Sequence, residues 1–281
     1  VIATGIGSLP FRTADKARAL LARFELPFLP ELPNLERDDL MLRRPFAGLL
    51  EGDDEPRIRA GVDLEAPVVL GPGVALLEAT SASTVKVQLA GPRVLREWVR
   101  DARGRPLGET AEGKALVARR FELYLRALLR RFSGRKVIVF LDEPGLDRAA
   151  EELAEAVSVA RAAGAWKVGV HDCGPGFQHA AKALPDFLSF DLALFRDGPE
   201  VRGHLGRGGA LAVGAIPTTR DFEVEEVVAR LRALPAGSLE GALVTPACGT
   251  ALLGEDAAGR IHEAAIAVAA RVSGEGRGAG G

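Results

Sequence analysis

The chain has 281 residues, 47% hydrophobic and 26% charged, with 36 basic against 38 acidic side chains and a net charge of −2. That apolar share excludes a disordered chain, and the balanced charge leaves no basic surplus to hold a phosphate backbone by counterion release, so no nucleic-acid partner is expected. Two cysteines are too few for a secreted disulfide framework, which points to a cytoplasmic protein. No apolar run approaches the roughly 20 residues that span a bilayer, and Val1–Leu9 lacks the charged start of a signal peptide, so no membrane partner is expected.

In chain order, short apolar runs alternate with amphipathic segments. The runs Val1–Gly7, Pro27–Glu31, Thr84–Ala90, Lys136–Asp142, Trp166–His171, Phe187–Asp191, Ala210–Ala215 and Gly241–Thr245 predict strands. Helices are predicted over Thr13–Phe24, Ala111–Phe132, Leu146–Ala163, Phe177–Leu184, Phe222–Leu234 and Asp256–Val272, where apolar residues recur every three or four positions. Continuous rather than alternating runs such as Val137–Leu141 suit parallel strands buried on both faces. Eight strands alternating with helices predict an α/β protein, a single (β/α)8 TIM barrel, with an open doubly wound sheet as the alternative. Residues 1–273 form the expected barrel. Pro30–Gly73, after the second strand, is expected as an extended excursion over one barrel face, and residues 274–281 as a flexible Gly-rich tail.

A parallel barrel places its chemistry at the carboxyl ends of its strands. There the sequence has Asp142-Glu143-Pro144, His171-Asp172-Cys173, Asp191 and Pro246-Ala247-Cys248, which include both cysteines of the chain. Residues 171 and 173 are two apart and share a side of an extended segment. An imidazole and a thiolate there, joined by Cys248, make a nitrogen and sulfur set suited to Zn²⁺, with Asp191 as a carboxylate fourth ligand. A lone Cys is more often a small buried hydrophobe; the H-x-C pair with a distal Cys favours a metal. His179, His204 and His262 read as packing or solvated residues. Arg119, Arg120, Arg126, Arg130 and Arg131 read as a solvated helix face.

Five motifs then stand in one order: IGSLP at Ile6–Pro10, LDEP at Leu141–Pro144, HDC at His171–Cys173, LSFD at Leu188–Asp191 and PACG at Pro246–Gly249. Together they resemble the C-terminal catalytic barrel of cobalamin-independent methionine synthase, within the uroporphyrinogen decarboxylase/methionine synthase-like superfamily. The resemblance implies a zinc-dependent methyltransferase that moves a methyl group to a thiol, most simply homocysteine to methionine. It implies His171, Cys173 and Cys248 as zinc ligands. Asp191 stands where the family usually has Glu. Ile6, Gly7 and Ser8 match the loop holding the amino-acid end of homocysteine; Asp142 matches the carboxylate on its ammonium, and Glu31 a second one.

Two departures shape the expected donor. The larger enzymes carry an additional N-terminal barrel, for which 281 residues leave no room. Their His after the seventh strand, which protonates the folate leaving group, is replaced here by Gly214-Ala215-Ile216-Pro217-Thr218-Thr219. The chain thus looks like a short core-type member, with methylcobalamin or a corrinoid protein as methyl donor. The rival readings are a uroporphyrinogen-decarboxylase-like enzyme, which needs no zinc, and a non-catalytic zinc- or corrinoid-handling protein.

Overall fold

A computed structural model describes residues 1–53, 55–145 and 150–274. The chain opens with β1 (Ile2–Ala3) and α1 (Ala14–Leu21), and the excursion then carries a small antiparallel hairpin of β2 (Leu50–Glu51) and β3 (Arg57–Ile58). Next come α2 (Pro72–Glu78), β4 (Thr84–Ala90), α3 (Pro92–Trp98), α4 (Ala111–Arg131) and β5 (Lys136–Asp142). The remainder runs α5 (Ala150–Ala162), β6 (Lys167–His171), β7 (Phe187–Asp191), α6 (Pro199–Gly206), β8 (Ala210–Ile216), α7 (Val224–Arg232), β9 (Leu243–Pro246) and α8 (Glu255–Gly274).

Among the described residues, seven of these strands form one parallel sheet in the order β1-β9-β8-β7-β6-β5-β4, curled and surrounded by helices. This is a TIM-like half-barrel rather than the expected closed, eight-stranded one. The exception is 27–31, the expected second strand. It lies between β4 and β1 but makes only one bridge to each side, Phe28 to Lys86 and Glu31 to Ser8. Pro27 and Pro30 are the physical reason: neither has an N–H to donate to a ladder. What remains is Lys86 N to Pro27 O at 2.9 Å and Leu29 N to Lys86 O at 2.8 Å on one side, and Glu31 N to Gly7 O at 2.6 Å and Leu9 N to Glu31 O at 2.9 Å on the other.

Strand alternation sorts the side chains into two cores. Val137, Val139 and Leu141 of β5 face outward into the large core shared with the helices. Ile138 and Phe140 face inward and pack with Phe187, Ala210, Ala212 and Leu243. Period two continues the inward series to Asp142 on β5, to His171 on β6 and to Ser189 and Asp191 on β7. Register pairs Asp142 with His171 and His171 with Ser189, so these side chains emerge at one level above the apolar floor.

Short helices missing from the sequence reading share one signature. α2, α3 and α6 each begin at a proline preceded by glycine: 71–72, 91–92 and 198–199. Proline's fixed φ and missing donor suit the first helical position, and each helix is too short to develop a clear apolar period. The segment predicted as a helix over Phe177–Leu184 is a 3₁₀ helix, Phe177–Ala183, stopped by Leu184 in the left-handed region at φ 53°. Residues 146–149 of the helix predicted over Leu146–Ala163 and 275–281 of the predicted tail lie outside the described residues; Gly274 itself closes α8.

The excursion over Pro30–Gly73 is present and tightly held. Asp39 and Arg44 form a fully buried ion pair at 2.9 Å, with Arg44 Nη2 also donating to Pro30 O at 2.6 Å and Asp39 Oδ2 accepting from Leu32 N at 3.0 Å. Arg120 corrects the reading of α4 as a wholly solvated basic face. It falls on the same side as Val117, Phe121 and Tyr124, is fully buried, and donates to Pro45 O at 2.9 Å and Ala66 O at 2.6 Å. The core of the barrel thereby grips the excursion through backbone carbonyls.

Candidate functional site

The strand ends and the loops after them build the site in two halves. One half lies where 27–31 passes between β4 and β1. Gly5 and Gly7 permit this approach: a Cβ on Gly5 would stand 2.2 Å from the Phe28 ring, and one on Gly7 would stand 2.7 Å from Leu29 O. The loop carrying Ile6, Gly7 and Ser8 is therefore pressed against Glu31, and Ser8 O accepts from Thr250 N at 2.7 Å, which joins it to the loop after β9.

Within that half sits a buried charge cluster. Glu31 is 1% exposed; its Oε2 accepts from Met41 N at 2.8 Å, while its Oε1 is buried without a hydrogen-bond partner. Burial pushes the Glu31 carboxyl up to about 7, against the pull of Arg44. Asp142 accepts from Gln88 Nε2 with both oxygens, at 2.8 Å each. Gln88 in turn accepts from Lys86, whose Nζ also donates to Gly5 O at 2.9 Å and stands 4.7 Å over the Phe140 ring. Desolvation raises the Asp142 carboxyl and lowers the Lys86 ammonium, and their mutual attraction opposes both shifts. Buried charges persist only where they are paired in this way.

Sequence reasoning missed Lys86 and Gln88. Their signal was present in β4, TVKVQLA, where polar residues at 84, 86 and 88 alternate with apolar ones inside an otherwise buried strand. Alternation of that kind sets the polar residues on one face of the strand, and their bonds to Gly5 O and Asp142 place that face toward the lumen.

The other half surrounds a cavity of about 300 Å³ whose walls include Cys173, Asp191, Ala215, Thr218, Thr219 and Cys248. Cys173, Asp191 and Cys248, three of the four expected metal ligands, thus share one cavity. Both thiols reach solvent, yet partial desolvation pushes Cys173 up to about 11 and raises Cys248 as well. His171 is buried beside them, with Nδ1 2.9 Å from Ser189 Oγ. Burial, with Lys86 nearby, holds its pKa down at about 4, so the imidazole is neutral. With the proton on Nδ1, that bond orients the ring and leaves the Nε2 lone pair free, the arrangement by which a second group fixes a metal-binding histidine. Asp191 is engaged at its own helix turn, where Oδ1 accepts from Ala193 N at 2.8 Å.

The donor types therefore fit a zinc ion, but their present positions do not converge on one: among the described residues no three His, Cys, Asp or Glu side chains stand together closely enough to hold a metal. The side chains between the named ones are structural. Asp172 is buried and accepts from Gly174 N at 2.7 Å and Gly145 N at 3.2 Å, which braces the β5 and β6 loops together. Glu143 lies across the start of α3, accepting from Arg93 N at 3.1 Å, in space that any side chain on Gly91 would fill. His204 bonds Ala210 O at 2.9 Å, and His262 stacks on Phe28 at 5.7 Å; both are buried away from the cavity walls.

No protein-family model and no curated protein matches the sequence. Solved structures do. A methyltransferase from Methanosarcina mazei superposes with a TM-score of 0.62 at 14% identity, over 96% of this chain and 92% of its own. A protein described as a vitamin-B12-independent methionine synthase from Listeria monocytogenes superposes with a TM-score of 0.55 at 16% identity, over 92% of this chain and 84% of its own. The chain shares their fold. Among the described residues no helix is long and apolar enough to cross a membrane.

Proposed function

We propose that the protein is a zinc-dependent thiol S-methyltransferase, with homocysteine as acceptor, methionine as product and a methyl-corrinoid, free or protein-bound, as donor. The observation that carries the reading is the pairing of two unlike halves at one barrel mouth. Two thiols and a carboxylate line a cavity, and beside them lie buried carboxylates, one with an unpartnered oxygen. The fold shared with two proteins named for methyl transfer agrees with it.

His171, Cys173, Cys248 and Asp191 would hold the zinc, Asp191 after giving up its bond to Ala193 N. Bound zinc would supply the charge that keeps cysteine and substrate sulfurs as thiolates near neutral pH. The protein's own residues do the rest. Glu31 Oε1 and Asp142 accept the substrate ammonium, and the loop at Ile6–Ser8 presents backbone groups to its carboxylate. Anchored at that end, the substrate extends its sulfur toward the cysteines, and attack becomes effectively unimolecular. The thiol proton leaves to solvent; a sulfur electron pair forms the new S–C bond, and the pair of the breaking methyl bond stays on the donor. A corrinoid leaves without being protonated, so the absence of a His in 214–219 costs the reaction nothing.

Purified protein loaded with zinc and supplied with homocysteine and methylcobalamin should make methionine and should bind about one zinc per chain. Cys248→Ser should lose that zinc. Full zinc retention in the variant, or methionine formed from methyltetrahydrofolate and not from methylcobalamin, would overturn the respective part of the reading.

A further inference from the structure

The cavity beside the cysteines has a second wall. Arg220, on the loop after β8, and Arg230, on α7, line it together with Thr218 and Thr219. Among the described residues neither arginine takes part in an ion pair or hydrogen bond, although Asp221, Glu223 and Glu226 lie close in sequence. Other arginines of this chain do meet carboxylates, as at Arg202–Asp197 and Arg161–Asp186. Two arginines lining one cavity together with two threonines form an anion-binding arrangement.

Its position gives it a role. Around the barrel mouth the order is 27–31, β1, β9, β8, β7, β6, β5 and β4. Glu31, Asp142, Lys86 and Gln88 occupy the arc from β5 through β4 to β1, whereas the arginine-lined cavity occupies the arc from β7 to β9. The cysteines stand at the two boundaries between these arcs. A thiol substrate whose ammonium lies on Glu31 and Asp142 leaves the arginine side vacant, opposite its own anchored end. The same loop, at Pro217–Arg220, also walls a larger outer groove of about 820 Å³ between α7 and α8, so a bulky molecule reaching the inner cavity has room behind it.

We propose that this cavity receives the methyl donor and that Arg220 and Arg230 bind an anionic group on it, a phosphodiester or a carboxylate. The proposal rests on the thiol methyl-transfer reading for the identity of the ligand, but not for its charge. Its selectivity follows from chemistry: a donor stripped of its anionic group loses the arginines' contribution, and a donor that keeps it binds less tightly as salt rises.

The test measures binding rather than turnover. Equilibrium dialysis of the zinc-loaded full chain is run with methylcobalamin, which carries a phosphodiester, with methylcobinamide, which lacks it, and with methyltetrahydrofolate, which carries carboxylates. R220Q/R230Q should weaken an anionic donor by about tenfold or more, the loss expected for charge-assisted hydrogen bonds, and should leave methylcobinamide unchanged. R220K/R230K should restore part of the salt-dependent affinity, which shows that the cavity is intact. Weakening of methylcobalamin alone identifies the phosphodiester; weakening of methyltetrahydrofolate alone identifies the carboxylates. Equal binding of every donor by wild type and R220Q/R230Q, or no binding of any donor by wild type, overturns the proposal. Anionic donor binding that depends on the arginines in a chain that never methylates homocysteine would instead overturn the methyl-transfer reading and leave the cavity assignment standing.

Discussion

Replacing Asp39 by Asn separates the excursion's ion pair from its shape. Asn keeps an oxygen to accept from Leu32 N, but it withdraws the carboxylate charge that meets the Arg44 guanidinium at 2.9 and 3.2 Å. Arg44 is 1% exposed and Asp39 is fully buried, so no water can take over. Leaving one member of such a pair uncompensated costs about 3–5 kcal/mol, a large share of the roughly 5–15 kcal/mol that holds a folded chain together. With a urea dependence of about 3 kcal/mol per molar, a loss of about 4 kcal/mol lowers the unfolding midpoint by about 1.3 M. Urea titration followed by circular dichroism reads this directly. Asp39→Asn/Arg44→Met, which removes both charges, should recover at least half of the loss. A Asp39→Asn midpoint within about 0.3 M of wild type, or a double variant no better than the single one, would refute the claim that an unpaired guanidinium is the source. The site should register the change as well, because the same turn holds Met41 N against Glu31 Oε2; the single variant should raise KM for homocysteine more than it lowers kcat.

Three other outcomes follow from the geometry. Lys86→Met removes the cation that favours ionised Asp142 and Glu31, so the acidic limb of kcat/KM against pH should move to higher pH; an unmoved limb would detach Lys86 from the carboxylates. His262 is fully buried, and burial holds its pKa at about 4 against an ordinary 6.5. The unfolded chain therefore binds this proton first, and stability present above pH 6.5 should fall by up to about 3 kcal/mol as pH drops toward 4. Unfolding midpoints of His262→Phe should depend less steeply on pH across that window, and an unchanged slope would contradict the assignment. Gly7→Ala would set a methyl 2.7 Å from Leu29 O and 3.1 Å from Glu31 Oε1, so homocysteine affinity should drop at least several-fold, read by calorimetry, while zinc content stays the same.

How legible the molecule is from its sequence depends on what kind of order an element has. Thr84–Ala90, Lys136–Asp142 and Phe187–Asp191 are strands with the predicted bounds, because continuous burial leaves an uninterrupted apolar run. Pro27–Glu31 has the same apolar character, but its two prolines cap it at single bridges, a property of donors rather than of hydrophobicity. Arg120 shows the reverse limit: composition marks it as surface, and only its helical phase with Val117 and Tyr124 reveals that it points inward to carbonyls of another segment. The site divides similarly. Cys173, Asp191 and Cys248 meet at one cavity because strand ends are set by topology. Lys86 and Gln88 were hidden because a strand's pattern does not say which of its faces meets a lumen, and the Ser189 bond to His171 joins residues 18 apart across two strands.

The two prolines of 27–31 have a mechanical consequence. From β4 through β9 the neighbouring strands are stitched together by ladders, and shifting one of them means breaking several backbone bonds together. Here the wall has a seam, fastened by a few bonds on each edge and by the Asp39–Arg44 and Lys86 tethers. Regions held by few backbone bonds open at lower free energy than the sheet around them. Glu31 rides on that seam, whereas His171 and Asp191 ride on the continuous sheet. One end of the site can yield to a guest while the other keeps its place.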